Sequence, residues 1–562
     1  MKFASRIIQI GLIIALLVST AYCIWILDRG FNIIDESYYL LNAIYPDNFQ
    51  LGYTHARLFS SLLWAITGSF VLFRASGLIV LLSGSLILAL GTIYASPLCG
   101  MPVAGRPWNR AAIISCTIVC ALLYGSVLNF TPSYNLLATS FAYAAMGLAM
   151  LSFNRTVSWH ALALKLMSGC LVGAVFLCKF PAGIMVFCLV SMLIVAFDRT
   201  LRDRMLGIFI CLVGMVVVIL IIIRVQGPFA DTLEKLRLGM AINKFVSPSV
   251  GHLLSWYFND LMGKLIMFIK FFALPTIFFI VFACWRRTII AIMGIGLLIY
   301  TLIFGGHLVG GIGRNLTTQM ISLATSLLLC LLVTLPTLLK NRNIRILSIV
   351  FFFLPFCVAV GTSALLSRHI LLSLASWGTL IALLAFAGNL EGRKPLPAML
   401  ICAIFITTAV SQTMTSGFQL FYRLYRPISE QTELTKVGAI GSVKLDKKTQ
   451  DFVFALTDLA EKCGITPGEP FLGYYDIPGI AIITQTVPVL TPWLFNPKQA
   501  KAILDHADPE TIHSAVVGMR KPQNENTPSL PGQMNPFPKG YRSCGTVTFP
   551  YREQQIQIWA PE

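Results

Sequence analysis

The sequence predicts an all-α polytopic membrane domain of about thirteen transmembrane helices, followed by a small α/β or α+β domain outside the membrane. Three observations predict it. Of the 562 residues, 56% are hydrophobic and only 12% charged, against roughly 25% charged in an average soluble domain. Fourteen apolar runs of about membrane-crossing length fall before residue 417. After residue 417 the character changes to a punctuated, charge-balanced mixture of short strand-like and helical stretches.

The net charge of +18 is uneven: residues 1–417 carry 28 Lys+Arg against 10 Asp+Glu, whereas residues 418–562 carry 14 of each. The excess therefore sits in the short loops of the membrane half, where it orients helices by the positive-inside rule. With no RNA- or DNA-binding motif in the chain, this distribution excludes a nucleic-acid partner.

The first run, Ile7–Ile26, follows Lys2 and Arg6, lacks a small-residue cleavage pattern, and is expected to be an uncleaved helix with a cytoplasmic N-terminus. Next comes LDRGFNIIDESYYLLNAIYPD (Leu27–Asp47), which holds Asp28, Asp35, Glu36 and Asp47, four of the ten acids in the membrane half. Runs near 58–73 and 77–95, near 111–128 and 134–152, a tight pair joined by CKFPAG (Cys178–Gly183), and 205–223 follow. A polar, amphipathic stretch over about 224–260 contains Asp231, Glu234, His252 and Asp260. Six further runs lie near 261–284, 288–305, 316–338, 344–362, 370–388 and 396–412.

Arg286-Arg287, Lys340–Arg345 and Glu391–Lys394 read as cytoplasmic loops, which places residues 28–56 and 224–260 and the 418–562 domain outside a plasma (inner) membrane. Fourteen crossings would leave that domain inside. One run before residue 224 is thus expected not to span, with the 58–73 run and the pair around Lys179 as candidates.

In the C-terminal part, residues 447–463 carry helical spacing. Phe471–Tyr475, Ile480–Thr484, Ala515–Val517, Gly545–Phe549 and Ile556–Trp559 read as strands, and Asn524–Lys539 as a loop. Cys463 and Cys544 either pair in an exported domain or stay free. The other twelve cysteines are scattered through the membrane half without ligand spacing.

Paired carboxylates at a membrane surface are costly unless they are used. A carboxylate among apolar and aromatic residues has a raised pKa and suits a general base toward a hydroxyl. Asp35 and Glu36 equally suit the first turn of a helix starting at Glu36, where negative charge is favoured. Spacing alone does not separate the two roles.

Asp35-Glu36-Ser37-Tyr38-Tyr39, then His55 and Arg57 opening the next helix, Gly68–Arg74, a glycine-rich helix ending at Lys179, and Trp256-Tyr257-Phe258 occur in that order. This arrangement resembles the GT-C superfamily of membrane glycosyltransferases, in the branch of protein O-mannosyltransferases and the lipid A aminoarabinose transferase, over about residues 1–290. The resemblance implies a polyprenyl-phosphate-linked sugar donor, a lipid, glycan or protein acceptor, and transfer at the outer face of the bilayer. It implies Asp35 as base with Glu36 beside it. Arg57, Arg74, Lys179 and Arg314 would hold the donor phosphate, with the Arg368-His369 pair as a further candidate. Tyr38, Tyr39, His55, His252 and His307 would contact substrate. It calls for no cofactor, and a divalent ion at Asp35/Glu36 is allowed but not implied. Some relatives carry a second acid in the outer loop near 130–136, where this chain has Asn135. The competing classes are a transporter or flippase of a lipid-linked or small polar solute, and a scaffold that has lost activity.

Overall fold

A computed structural model describes residues 2–49, 54–101, 103, 106–153, 158–245, 248–271, 273, 277, 312–362, 365–386, 396–419, 421–520 and 537–562. Among these, nine helices are long and apolar enough to cross a membrane, and a small mixed α/β domain caps one face of the bundle. The protein is a multi-pass membrane protein.

Helix α1 (Lys2–Trp25) crosses first. On the face that carries the C-terminal domain, hereafter the domain face, lies the ten-residue α2 (Asp35–Ile44). Helix α3 (Ala56–Thr67) ends at Gly68, whose φ of 61° reverses the chain before α4 (Phe70–Ala95) begins. Twelve residues of α-helix span about 18 Å, well short of a bilayer core of about 30 Å.

The expected 58–73 run is therefore two pieces, and α3 is the one that does not cross. Helices α5 (Pro107–Leu122), α6 (Tyr134–Ser152), α7 (Trp159–Cys178), α8 (Phe180–Phe197) and α9 (Leu201–Val225) all have spanning length. The pair around Lys179 is thus two full crossings. With α1 and α4 this makes seven before residue 226, an odd number, and Gln226 accordingly meets His55 on the domain face, Nε2 to Nδ1 2.7 Å.

Glycine spacing explains how α4 and α6 run side by side. A Cβ at Gly77, Gly84 or Gly91 would lie 1.8, 2.4 or 2.3 Å from the carbonyl oxygens of Phe130, Ser140 and Gly147. Three glycines seven residues apart thus let the two backbones touch along the whole seam.

The 224–260 stretch forms α10 (Phe229–Asn243) and the first half of α11 (Val250–Phe271), which starts well before the expected run at 261. The run near 288–305, with Arg286-Arg287 and His307, lies outside the described residues. Then follow α12 (Ile312–Val333), α13 (Leu335–Lys340), α14 (Arg342–Ala359), α15 (Leu366–Leu371), α16 (Ala375–Phe386) and α17 (Leu396–Ser416). On the face opposite the domain, Gln9 donates to Asn109 and Asn109 to the Phe386 carbonyl. There too a buried Lys165–Asp198 pair, 2.6 Å apart, ties α7 to the α8–α9 turn.

After α17, β1 (Glu433–Val437) and β2 (Gly441–Leu445) form an antiparallel hairpin, followed by α18 (Lys447–Lys462). The main sheet comprises β3 (Pro470–Tyr474), β4 (Val487–Pro488), β5 (Val516–Arg520), β6 (Tyr541–Phe549) and β7 (Gln554–Pro561), in the order β4-β3-β5-β7-β6. Strand β3 pairs parallel with β4 and β5, while β7 pairs antiparallel with β5 and β6. The expected strand at Ile480–Thr484 is instead the helix α19 (Gly479–Thr484). Every residue of α19 is buried, so the alternation that marks a half-buried strand never existed, and a short all-apolar run fits either structure. Helices α20 (Pro497–Leu504) and α21 (Pro509–His513) complete the domain. Cys463 and Cys544 are paired, Cα–Cα 5.5 Å, joining the end of α18 to β6.

The domain is sewn to the loop after α1. Lys444 Nζ meets Asp28 at 2.6 Å, the Lys444 backbone pairs with Asp28 and Gly30, and the Gly479 N–H donates to the Ile33 carbonyl. A Cβ on Gly479 would lie 2.6 Å from that oxygen, so α19 sits directly on the chain entering α2.

Candidate active site

Asp35 and Glu36 open α2 side by side but meet different surroundings. Successive helical residues point about 100° apart, and here that turns one carboxylate inward and the other toward an opening. Glu36 is 3% exposed. Its carboxylate accepts from Arg74 Nε and Nη2 (2.7 Å each), Asn129 Nδ2 (3.0 Å), the Asn32 backbone N–H (3.1 Å) and Thr131 Oγ1. Arg74, 1% exposed, gives its remaining donors to the carbonyls of Leu27, Arg29 and Gly30. All five of its N–H groups are engaged, so Arg74, expected on the donor phosphate, is a clasp between α4 and the first loop. Glu36 is the matching half of that clasp, with no lone pair turned toward a substrate.

Asp35 is partly open, its side chain 16% exposed. Arg423 Nη1 donates to Asp35 Oδ1 at 3.1 Å. Arg423 lies in the link between α17 and the C-terminal domain, as does Tyr422, whose hydroxyl also meets the carboxylate. The Arg368 guanidinium stacks 4.2 Å over the Tyr422 ring, and that of Arg423 lies 5.3 Å from it. Asp35 thus faces Arg423, Tyr422, Arg368, Tyr39, Tyr134 and Asp476.

Burial pushes the Asp35 carboxyl above the usual carboxylate range, with the two guanidiniums and the Tyr422 hydroxyl opposing the shift. Asp476, at the end of β3, is pushed up by burial in the same way. It lies 3.6 Å from both Arg423 Nη1 and Arg520 Nη1. A small cavity opens between Asp35, Glu36, Tyr39, Asn129, Phe421 and Tyr422.

The other expected residues fall in three groups. One group starts at the cavity residue Tyr39 and extends away from it. Tyr39 packs edge-on to Tyr134, centroids 5.8 Å apart, and Lys179 Nζ lies 6.0 Å from the same Tyr134 ring while donating to the Val358 carbonyl at 2.7 Å. His369, on α15 beside Arg368, is held neutral by burial and by the nearby Lys179, with its pKa lowered to about 3.

A second group borders α2 elsewhere. Tyr38 packs on Trp493 of the C-terminal domain. Arg57 donates to the Phe49 carbonyl and interacts electrostatically with Tyr38 and Asp47. His55 bonds Gln226 and, through its backbone, the Leu177 carbonyl; burial and Arg57 lower its pKa to about 4.

The third group is not brought to the site. His252 is exposed in the first turn of α11, its ring beside Trp256. The second acidic loop does not converge on Asp35 either. Asp231 and Glu234 are exposed on α10, and Asp260 caps α15 through the Ser367 N–H and hydroxyl while pairing with Lys264. Tyr257 is buried, its hydroxyl on the Thr362 carbonyl, whereas Trp256 and Phe258 are exposed. His307 lies outside the described residues, as does the side chain of Arg314. Asn135 is buried in the first turn of α6 with no partner for its Oδ1, and the loop before it is bonded to Glu36 through Asn129 and Thr131.

The sequence reading missed Arg423, Asp476 and Arg520. A signal for the first existed in the run FYRLYRP (Phe421–Pro427), aromatic and basic residues directly after the last crossing. Among the described residues, no three His, Cys, Asp or Glu side chains gather in a metal-binding group.

No family model matches the chain, and no curated protein matches it. Among solved structures, it is similar to the archaeal oligosaccharyltransferase AglB from Archaeoglobus fulgidus in complex with an inhibitory peptide and a dolichol-phosphate. That match has a TM-score of 0.44 and 12% identity, over 89% of this chain and 65% of that one. The oligosaccharyltransferase of the same organism tethered to an acceptor peptide gives 0.44 and 13%, over 88% and 64%. Its complex with Zn and sulfate gives 0.43 and 14%, over 87% and 62%. The chain thus spans less than two thirds of the length of these proteins, and a likeness this faint in sequence and shape carries no functional weight.

Proposed function

We propose that the protein is a membrane glycosyltransferase that moves a monosaccharide from a polyprenyl-phosphate donor to an acceptor hydroxyl, with Asp35 as general base. One observation carries the reading. Both adjacent acids line the cavity, but Glu36 is saturated by five donors, whereas Asp35 keeps acceptor capacity among cations and tyrosines at the end of the helical bundle. A lipid-linked donor has an apolar tail that belongs among helices and a phosphate that needs cations at their ends.

In the transfer, Asp35 accepts the proton of the acceptor hydroxyl as its oxygen attacks the anomeric carbon. The bond from that carbon to the phosphate oxygen breaks, and its electron pair leaves with the polyprenyl phosphate. One negative charge is thereby lost at Asp35 and one gained on the leaving group, in a single inverting step. Arg368, stacked over the cavity residue Tyr422 and acting on Asp35, is the cation proposed to offset the new charge, with Lys179 farther off beside Tyr134. Tyr39 and Tyr422 offer flat walls for a sugar. The finer assignments are part of the same proposal: the O-mannosyltransferase and aminoarabinose transferase branch, a cytoplasmic N-terminus, and an exported C-terminal domain.

The test is sugar transfer in membranes supplied with labelled polyprenyl-phosphate sugars. Losing a general base typically costs about 10²–10⁴-fold in rate, so Asp35→Asn is expected to fall by that much. Transfer at the wild-type rate by Asp35→Asn would sink the assignment. Solute movement without sugar transfer would favour a transporter.

A further inference from the structure

We infer that the donor's phosphate competes with Asp35 for Arg423, so that donor binding itself releases the base. The inference rests on the function just proposed and adds to it a residue of the interdomain link and an order of binding. Three observations bear on it.

The first is the contrast between two arginines. Arg74 has every N–H engaged with Glu36 and loop carbonyls. Among the described residues, Arg423 donates one hydrogen bond, to Asp35, and otherwise approaches Asp476 at 3.6 Å and the Tyr422 ring. Its planar fork therefore keeps donors for a second anion, and that fork matches the two oxygens of a phosphate.

The second is the backbone. Arg423 has φ 59° and Asp476 φ 63°, a region that side-chain-bearing residues rarely occupy and that the surrounding structure must hold in place. Both of these residues converge on Asp35 from the C-terminal side of the chain.

The third is Asp476 itself. Its Oδ1 is buried and accepts no hydrogen bond, although it lies 3.6 Å from Arg423 Nη1. It is a second carboxylate able to keep Arg423 in place when Asp35 lets go.

The chemistry follows from these placements. A carboxylate paired with a guanidinium holds protons weakly, because the nearby positive charge favours its ionised form. With its guanidinium drawn onto a phosphate, the same carboxylate becomes the stronger base, at the moment a sugar is in place to be transferred.

Binding of polyprenyl phosphate, without sugar, to the full chain in nanodiscs tests this. Asp35→Asn removes the competitor and is expected to tighten binding several-fold. Arg423→Gln is expected to weaken it about tenfold, and Arg423→Lys by less. In the Arg423→Gln background, Asp35→Asn is expected to bring no gain, since there is nothing left to compete for. An unchanged affinity in Asp35→Asn, or the same gain with and without Arg423, overturns the inference. Inorganic phosphate and an anionic phospholipid serve as competitors, and displacement by either at equal concentration overturns the assignment to the lipid-linked donor. Near-isosteric Asp35→Asn and charge-keeping Arg423→Lys read the competition without relying on Arg423→Gln to fold. Wild-type transfer by Asp35→Asn would instead defeat the proposed function, whatever the binding data show.

Discussion

Replacing Arg74 by glutamine would leave Glu36 buried with its countercharge gone. The carboxylate would keep Asn129, Thr131 and the Asn32 N–H, while the carbonyls of Leu27, Arg29 and Gly30 would lose their donor. Removing one partner of a buried ion pair costs about 3–5 kcal/mol, and a fully buried pair belongs at the upper end of that range. Against a total stability of about 5–15 kcal/mol, the loss is large, and it should be concentrated where the first loop meets α4. The assay is denaturation of the purified full chain in detergent, combined with proteolysis in the 27–36 loop. Neutralising both partners, as Glu36→Gln with Arg74→Met, is expected to recover most of the loss, because the penalty lies in the stranded charge. The reasoning is refuted if Arg74→Gln is as stable as wild type to within about 1 kcal/mol yet binds polyprenyl phosphate far more weakly. That outcome would return Arg74 to the phosphate role its position in the sequence suggested.

Sugar transfer should fail on the acid side at a pH above the ordinary carboxylate range. Burial raises the pKa of Asp35, so the base is lost as pH falls through that raised value, and a rate profile flat down to the ordinary carboxylate range would contradict it. A raised carboxylate pKa also means that the folded state binds the proton more tightly than the unfolded one. Asp35 therefore costs stability in full above its folded pKa and none below the unfolded value, so Asp35→Asn is expected to be more stable than wild type at neutral pH, measured by denaturation. His252→Ala should leave transfer within about twofold, as for an exposed side chain away from the site, and a larger drop would bring α11 back into the chemistry. Cys544→Ser opens a bridge across 81 residues and is expected to cost the C-terminal domain about 2–4 kcal/mol, read as faster proteolysis of residues 433–562; unchanged digestion would speak against the pairing.

The bundle was legible because membrane crossing leaves a one-dimensional mark. Apolar length alone identifies α1, α4 and α7–α9 without any knowledge of packing. The odd helix was legible only as a miscount. What settles it is Gly68, whose positive φ ends α3 after twelve residues, and a glycine inside an apolar run does not announce whether it continues a helix or stops it. In the C-terminal domain the same limit appears at Gly479–Thr484, where burial on all sides erases the period that separates strand from helix.

The site was half legible, for a different reason. The sequence singles out Asp35 and Glu36 together, since acids are scarce in the first 417 residues and these two are adjacent. It cannot separate them, because what separates them is their partners: Arg74, Asn129 and Thr131 for Glu36, Arg423 for Asp35. Arg423 is 388 residues from Asp35, and no local pattern carries information over that distance. The pair suits helix-terminal structure and chemistry at once, and the fold gives the two neighbours different partners. Glu36 takes the structural role, fully bonded and closed to solvent. By doing so it fixes the first turn of α2 so that Asp35, one residue earlier, faces the cavity and the interdomain link. A saturated acid beside an unsaturated one is therefore an arrangement in which the first positions the second. It follows that a loss of transfer in Glu36 variants must be judged alongside stability before any catalytic part is assigned to it.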